Sequence, residues 1–497
     1  MTVLAERLRG FVVSLRFAMS GKLPVWLKKE IVLPGLHSRQ KGPPPRWLRW
    51  VPKVFTWLLC LLVVWFAVWR VLLYREIEHR FAAIRTAGLP ASGEELNAWR
   101  LQVPDSENGA PVLTQAFALT RTFPDSRSNL VVATELLERT NQWSAEIHEM
   151  ISEYVATNQA AIAKAREAMR FQHFRFRADF SCGPETELPH LGQLKNLARI
   201  VALQSALAAE DGRADEWPDH TILLLKLAST IEEEPTLISY LVRTAIVRMA
   251  VEITERGLNR ASPGDNACRE LQQAFARVGE TNLLARTLIG ERALMIPVFR
   301  LSWSDIRSLG QSDDSQNQPQ KPRHYSGQPA FVLWLSGFLE RDLNFYLQTM
   351  DKSISLAQLP PPASLVLSNH SEQASEAARR KMFLLSGMLL PSFSRIPIRE
   401  VSLQARVALA QTAMAAEQFH NAHGQWPENL KELMLQFLAS VPVDPFDGAP
   451  LRYRLLDKGC VIFSVDSDGH DDGGREGPDR KKSTDTNSYD ITFTVKR

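Results

Sequence analysis

The residues of this chain with the clearest chemical potential are carboxylates near its C-terminal end. Between Asp466 and Asp490 lie eight acids (Asp466, Asp468, Asp471, Asp472, Glu476, Asp479, Asp485, Asp490) against four bases. Glycines at 469, 473 and 474 allow a tight turn around an ion, because glycine accepts positive φ at no steric cost. Ca²⁺ takes about 6–8 oxygen ligands at roughly 2.3–2.6 Å, which a loop of this composition can supply. A solvated acidic turn holding no ion is the alternative. EF-hand spacing is not met. With Ser464, Asp466 and Asp468 in its first, third and fifth positions, Gly469 fits the sixth, but Arg475 stands where the twelfth must be a bidentate Glu.

Other candidates carry less. The sequence contains no G-x-G-x-x-G, Walker A, H-E-x-x-H or G-x-S-x-G motif. His173 lies in Gln172-His173-Phe174-Arg175-Phe176-Arg177, which suits an anion- or saccharide-binding strand or, more simply, a loop packing its aromatics inward. His190, at a helix start, fits a capping or surface role. Glu232-Glu233-Glu234 reads as a solvated face ahead of Pro235. His420 and His423 share a helix face, yet no third metal ligand is near in sequence. No catalytic residue is assigned, and no small-molecule cofactor is indicated.

The elements that must position these groups are mostly helical. Leu191, Leu194, Ala198 and Val201 recur at three- and four-residue steps. Asp211-Gly212 stops that helix. Ile222–Ile231 and Leu237–Ile253 follow, with Pro235 suited to the first turn of the second. No self-similarity at the period of about 34 residues typical of helix-pair repeats is found, so an irregular bundle is expected. Residues 305–330, rich in Ser, Asp, Gln and Pro, read as a linker, and 331–398 as a helical continuation. From 399 the pattern changes to a long helix, Trp426-Pro427, a short helix with Leu430 and Leu433, and three strands, Leu451–Leu455, Cys460–Val465 and Tyr489–Val495. The expected fold is mainly α, with a small C-terminal α+β module at 399–497.

Position in the cell is the plainest message. Residues 54–74 read VFTWLLCLLVVWFAVWRVLLY, uncharged from Val54 to Trp69. About 20 such residues cross a hydrocarbon core. Trp47, Trp50, Trp69 and Tyr74 bracket the run as interfacial aromatics do. Residues 1–53 hold 11 basic residues and two acids, a net of +9; the remainder holds 47 bases and 53 acids, a net of −6. The positive-inside rule therefore places 1–53 in the cytoplasm and a helical domain at 75–304, with all that follows, outside: in a bacterium, an inner-membrane protein with a periplasmic body. Membrane lipid is the partner of 54–74. The mildly acidic body argues against nucleic acid. The stretch Val3–Met19, apolar with interspersed arginines, suits the inner leaflet or a short cytosolic helix. Cys182 and Cys268 are a conceivable disulfide; no zinc pattern occurs.

The last hundred residues resemble the globular half of the major pseudopilin of type II secretion systems. Gly424-Gln425-Trp426-Pro427 matches that family's G-x-[YW]-P, and Leu430–Leu433 its L-x-x-L. Asp444-Pro445-Phe446 with Pro450 and Tyr453 matches D-P-[WF]-x-x-P-[YL]-x-Y with one extra residue. Ser464, Asp468, Gly469, Gly473, Gly474, Asp490 and Ile491 match the closing loop. The resemblance implies one calcium ion held by Asp468 and Asp490 with backbone carbonyls. Asp466, in place of a Gly, and Asp472, one residue out of step, are secondary ligands. It also implies a departure. Lys53-Val54-Phe55-Thr56-Trp57-Leu58-Leu59 echoes the head of a pilin span, but Val54 stands where processing needs Gly and Leu59 where subunit pairing needs Glu. The chain is therefore expected to be uncleaved and not to polymerise as a pilus. As a whole it is similar to single-span bacterial envelope proteins with a helical body and this C-terminus. That likeness brings architecture and no reaction. The expected function is non-enzymatic assembly, scaffolding or a secretion-related role with envelope protein partners. The alternative is an envelope hydrolase of glycan or peptide, which would need only two suitably spaced carboxylates in the helical domain.

Overall fold

The computed structural model describes residues 50–121, 139, 142–279, 283–300, 337–475 and 489–497. The basic N-terminal segment before Trp50, the stretch Val3–Met19 and the expected linker at 305–330 lie outside the described residues. Within them the chain is mainly helical with one small antiparallel sheet.

The apolar run does not end at Tyr74. It belongs to a single helix, α1, Val51–Thr86, of 36 residues. This is the one described helix long and apolar enough to cross a membrane. Its character changes along its length. Phe55, Trp57 and Trp65 are 67%, 72% and 66% exposed, whereas Leu73, Ile77, Phe81 and Ile84 are buried. Those four fall at steps of four, four and three, the stripe a helix buries on one side. Contacts divide the chain into two compact units, residues 1–68 and 69–497.

In the second unit, α2 (Gly93–Trp99), α3 (Ala110–Leu119), α4 (Ala145–Thr157) and α5 (Gln159–Ala168) precede four longer helices. These are α6 (Pro189–Glu210), α7 (Glu216–Ser229), α8 (Leu237–Leu258) and α9 (Asp265–Gly279), each packed on the next or next but one. Gly212, at φ 72°, follows the end of α6 as expected. Pro235 stands just outside α8 rather than in its first turn; Thr236 is the cap, its Oγ1 accepting from Ser239 N at 3.1 Å. Next come α10 (Leu284–Met295), α11 (Phe338–Ala357), α12 (Val366–Arg380), the short α13 (Leu384–Leu389) and α14 (Ile396–His423). The final strands are β1 (Arg452–Leu456), β2 (Gly459–Ser464) and β3 (Ile491–Lys496), ordered β1-β2-β3 and antiparallel throughout, with Tyr453 opposite Ile462 and Ile462 opposite Phe493. Their limits differ from the sequence reading by one or two residues.

The change of pattern at 399 does not coincide with a break in the core. One apolar cluster runs from Leu194, Trp217 and Ile253 in the helices through Val407 and Met414 of α14 to Ile462 and Phe493 of the sheet. A second gathers Ile77 and Phe81 of α1 with Leu288, Leu343, Tyr346 and Met350. The outer edge of β3 is closed by side chains of α8. Glu255 Oε1 accepts from Thr494 N at 2.8 Å, Asn259 Nδ2 donates to Thr494 O at 2.8 Å, and Asn259 Oδ1 accepts from Lys496 N at 2.8 Å. An edge strand otherwise exposes a row of unpaired backbone groups. All four cysteines are free thiols, so Cys182 and Cys268 form no disulfide.

Candidate functional site

The acidic loop begins where β2 ends. Val465 leads into a 3-10 turn, Asp466–Asp468, and Gly469, at φ 67°, closes it. The carboxylates of this turn first serve their own backbone: Asp466 Oδ1 accepts from Ser467 N at 2.7 Å, and Asp468 Oδ1 from His470 N at 3.0 Å. Asp471 Oδ1 accepts from Gly473 N at 2.8 Å, and its Oδ2 lies 3.4 Å from Arg452 Nε. Asp472 Oδ1 lies 3.9 Å from His470 Nε2. Gly474, at φ 70°, has no room for a side chain, since a Cβ there would meet the Phe463 ring at 2.8 Å.

Asp490 differs from the rest of the set. It is 6% exposed, immediately before β3. Its Oδ2 accepts from Gly474 N at 2.8 Å. Its Oδ1 is buried with no hydrogen-bond partner among the described residues. Burial pushes its pKa up; hydrogen bonds from the backbone of Gly474 and Asp472 oppose that, and the charges of Asp471 and Asp472 add to it. Asp466 is likewise pushed up by burial, with Asp468 as its acidic neighbour. The acids thus sort into two groups, Asp466 with Asp468 and Asp490 with Asp471 and Asp472. Asp471 belongs beside Asp490, a relationship the sequence spacing did not single out, although the consecutive Asp471-Asp472 pair was visible. Among the described residues no three His, Cys, Asp or Glu side chains converge as a metal-ligating set. Residues 476–488 of the same loop lie outside those residues. A calcium ion here would draw on Asp490 and backbone carbonyls, and the unpaired buried oxygen of Asp490 fits that demand.

Beneath the loop, Asp444 does different work. It is fully buried, and its carboxylate accepts from Phe446 N, Ser464 Oγ, Val465 N and Arg452 Nη1 at 3.0, 2.9, 3.0 and 2.7 Å. Arg452 also pairs with Asp447. The D-P-F-D-G segment is therefore a structural tie from the turn before β1 to the end of β2. Nearby, the Tyr453 hydroxyl donates to Pro427 O at 2.6 Å, tying β1 to the Trp426-Pro427 turn.

The helical domain corrects two readings of surface residues. His190 is buried, stacked on Phe176 with ring centroids 4.3 Å apart, and its Nε2 lies 2.7 Å from Glu234 Oε1. Glu234 is buried too, unlike a solvated face; Ser239 Oγ donates to its Oε2 at 2.7 Å. Glu233 does follow the surface reading, exposed and paired with Arg286, whereas Glu232 is partly buried and paired with the buried Arg243. Ser, His and Glu thus meet, but the carboxylate sits between the other two. The imidazole cannot take the serine proton, as a nucleophile's base must. His173 pairs its backbone with Asn108, and Phe176 is buried, as for an inward-packed loop. His420 lies tilted against Trp426 and His423 stacks on Phe419, so the two imidazoles serve separate aromatic contacts.

A groove between α7 and α9 is lined at one end by Asp215, Asp219, Asp265 and Glu270, with a volume of about 590 Å³. All four acids are exposed. Asp215 is engaged by Gly264 N at 2.8 Å. This rim is open to solvent, whereas glycoside cleavage uses a carboxylate pair flanking an enclosed bond. No known protein family, curated protein or solved structure matches the chain.

Proposed function

We propose that this is a single-span envelope protein that anchors a helical body and a calcium-holding C-terminal module for a non-enzymatic, scaffolding role. The carrying observation is the closure of the β3 edge by Glu255 and Asn259, together with the shared core beneath it. A module secured in this way is held by its own body, which suits a fixed docking head better than a polymerising subunit. Helix α1, outward-apolar first and core-forming later, supports the anchor. The buried Oδ1 of Asp490, which has no hydrogen-bond partner among the described residues, supports the calcium. Leu435, at φ 72° and 95% exposed, gives the module an apolar side chain directed at solvent, a position from which a partner can be trapped.

The test has two arms. Protease added to spheroplasts should remove everything beyond Tyr74, and a protected C-terminus would overturn the orientation. A photo-crosslinking residue at Leu435 in intact cells should yield a discrete adduct with another envelope protein. Absence of any adduct, combined with cleavage of envelope glycan or peptide by the purified chain, would replace scaffolding with the hydrolase reading.

A further inference from the structure

We infer that the segment Met382–Met388, beside the outer end of the span, is a second membrane contact that lies on an anionic phospholipid surface. The inference rests on reading 54–74 as a span.

Position comes first. Trp69 and Arg70 close the apolar run. Arg70 Nη2 donates to Glu340 Oε1 at 2.7 Å, at the start of α11. Gly337, at φ 62°, is pressed against the same two residues, where a Cβ would stand 2.6 Å from Arg70 Nη1 and 3.0 Å from the Trp69 ring. The next residue, Phe338, meets Phe383 edge to face at 6.3 Å. Asp342, one short step along α11, accepts from Leu385 N at 2.9 Å and Ser386 N at 3.2 Å. The Met382–Met388 segment is therefore fastened to the helix start that grips the end of the span. This holds it close to Trp69 and Arg70, the residues at the outer end of the apolar run.

Its composition is interfacial. Met382, Leu384 and Met388 are 78%, 43% and 53% exposed, while Phe383 and Leu385 between them are buried. Met382 occupies the left-handed position that ends α12, where glycine is usual, with φ 56°. The hydrogen bonds of that cap are Phe383 N to Ala378 O at 2.8 Å and Met382 N to Arg379 O at 3.0 Å. An L residue is disfavoured there, so a long apolar side chain is held in solvent at an energetic cost. A strained residue of this kind is a pointer to function.

Charge identifies the occupant. From Arg379 to Arg399 the chain carries five basic residues (Arg379, Arg380, Lys381, Arg395, Arg399) and no acid. Lys381 and Arg341 lie over the Phe383 ring at 5.9 and 5.7 Å. One flanking acid, Glu376, is paired with Arg380 at 3.1 Å. Basic residues beside exposed apolar ones at the end of a span are drawn to anionic headgroups while the apolar tips enter the acyl boundary.

The test uses the full chain in nanodiscs of phosphatidylglycerol or phosphatidylcholine, spin-labelled at single sites. Met382→Cys and Leu435→Cys are made in a Cys60→Ser, Cys182→Ser background; native Cys60, with Cys182→Ser, reports on the span. In phosphatidylglycerol, labels at 60 and 382 should be more accessible to oxygen than to an aqueous nickel chelate, and the label at 435 the reverse. The double substitution Arg379→Glu, Arg380→Glu should return the 382 label to water, as should phosphatidylcholine. An aqueous label at 382 with the label at 60 in hydrocarbon would overturn this contact and leave the span standing; aqueous labels at both would overturn the span as well. Insertion at 382 unaffected by charge reversal would overturn the anionic assignment. Shielding of 382 only when other envelope proteins are present would assign the segment to a protein partner and overturn the proposal.

Discussion

Asn259, which caps the C-terminal end of α8, and Thr494 on β3 are joined at 2.8 Å, side-chain amide to backbone carbonyl, across 235 residues of sequence. Glu255, one turn earlier, accepts from the amide of the same threonine. A helix thus pairs with an edge strand as another strand would. Replacing Asn259 with Ala leaves Thr494 O and Lys496 N without these partners; Lys496 is exposed, so water can take its place there, while the loss at the less exposed Thr494 O costs about 1–3 kcal/mol. Asn259→Ala should lower the melting temperature of the whole chain and selectively speed hydrogen exchange at Lys496. Uniform exchange loss, or none, would show that the edge is held by packing alone.

Asp444 should be the most sensitive position in the D-P-F-D-G segment. Removing its carboxylate strands two backbone amides, the Ser464 hydroxyl and Arg452. Breaking a buried charged pair typically costs about 3–5 kcal/mol. Asp444→Ala is therefore expected to destabilise far more than Asp447→Ala, whose carboxylate is partly exposed. Denaturant midpoints of the two variants decide the order; equal losses would mean that Asp444 is not the keystone of the turn.

Calcium should stabilise the chain, and Asp490 should be necessary for it. A ligand that binds only the folded state adds about 2.7 kcal/mol at a hundredfold excess over Kd. Melting the full chain in calcium and in chelator should show a shift, lost in Asp490→Asn and kept in Asp457→Ala, at the exposed turn between β1 and β2. Identical melting of the unaltered chain in the two conditions would end the calcium reading.

Much of this arrangement could be read from local pattern. Helix stops at Gly212 and Gly424 are steric facts about positive φ, and the sequence displays them directly. The strands were readable within one or two residues because β-branched and aromatic runs are bounded by Gly, Pro and Asp. Long-range packing was not readable. Glu234 looked solvated because it follows two other glutamates, yet the chain brings His190 and Ser239 around it. The end of the apolar run at Tyr74 said nothing of where its helix stops, because Leu73, Ile77 and Phe81 extend the same period onto a protein core instead of lipid. The acidic loop was legible as a composition, but the separation of Asp466 and Asp468 from Asp471, Asp472 and Asp490 needed its turn geometry.

Glu291 supplies a pH dependence. It is buried on α10, and its Oε1 accepts from Leu237 N at the start of α8 at 2.7 Å. Burial pushes its carboxyl up to about 7, with the Leu237 hydrogen bond opposing. Between the unfolded value near 4.5 and about 7 the folded state holds a proton that the unfolded chain releases. Its contribution to stability is therefore fully present below about pH 4.5 and is lost as pH rises through 7, by an amount on the order of 3 kcal/mol. His220 acts in the opposite sense: burial first, and the Arg166 charge second, depress its pKa to about 4, so stability is lost as pH falls from about 6.5 to 4. The two effects overlap, and Glu291→Gln separates them. That variant keeps an oxygen for Leu237 N but cannot ionise. It should match the unaltered chain near pH 5 and exceed it in stability at pH 8, with the low-pH loss from His220 retained. Denaturant unfolding across pH 4–8 reads both limbs, and parallel curves for the two proteins between pH 5 and 8 would show that Glu291 does not titrate in that range.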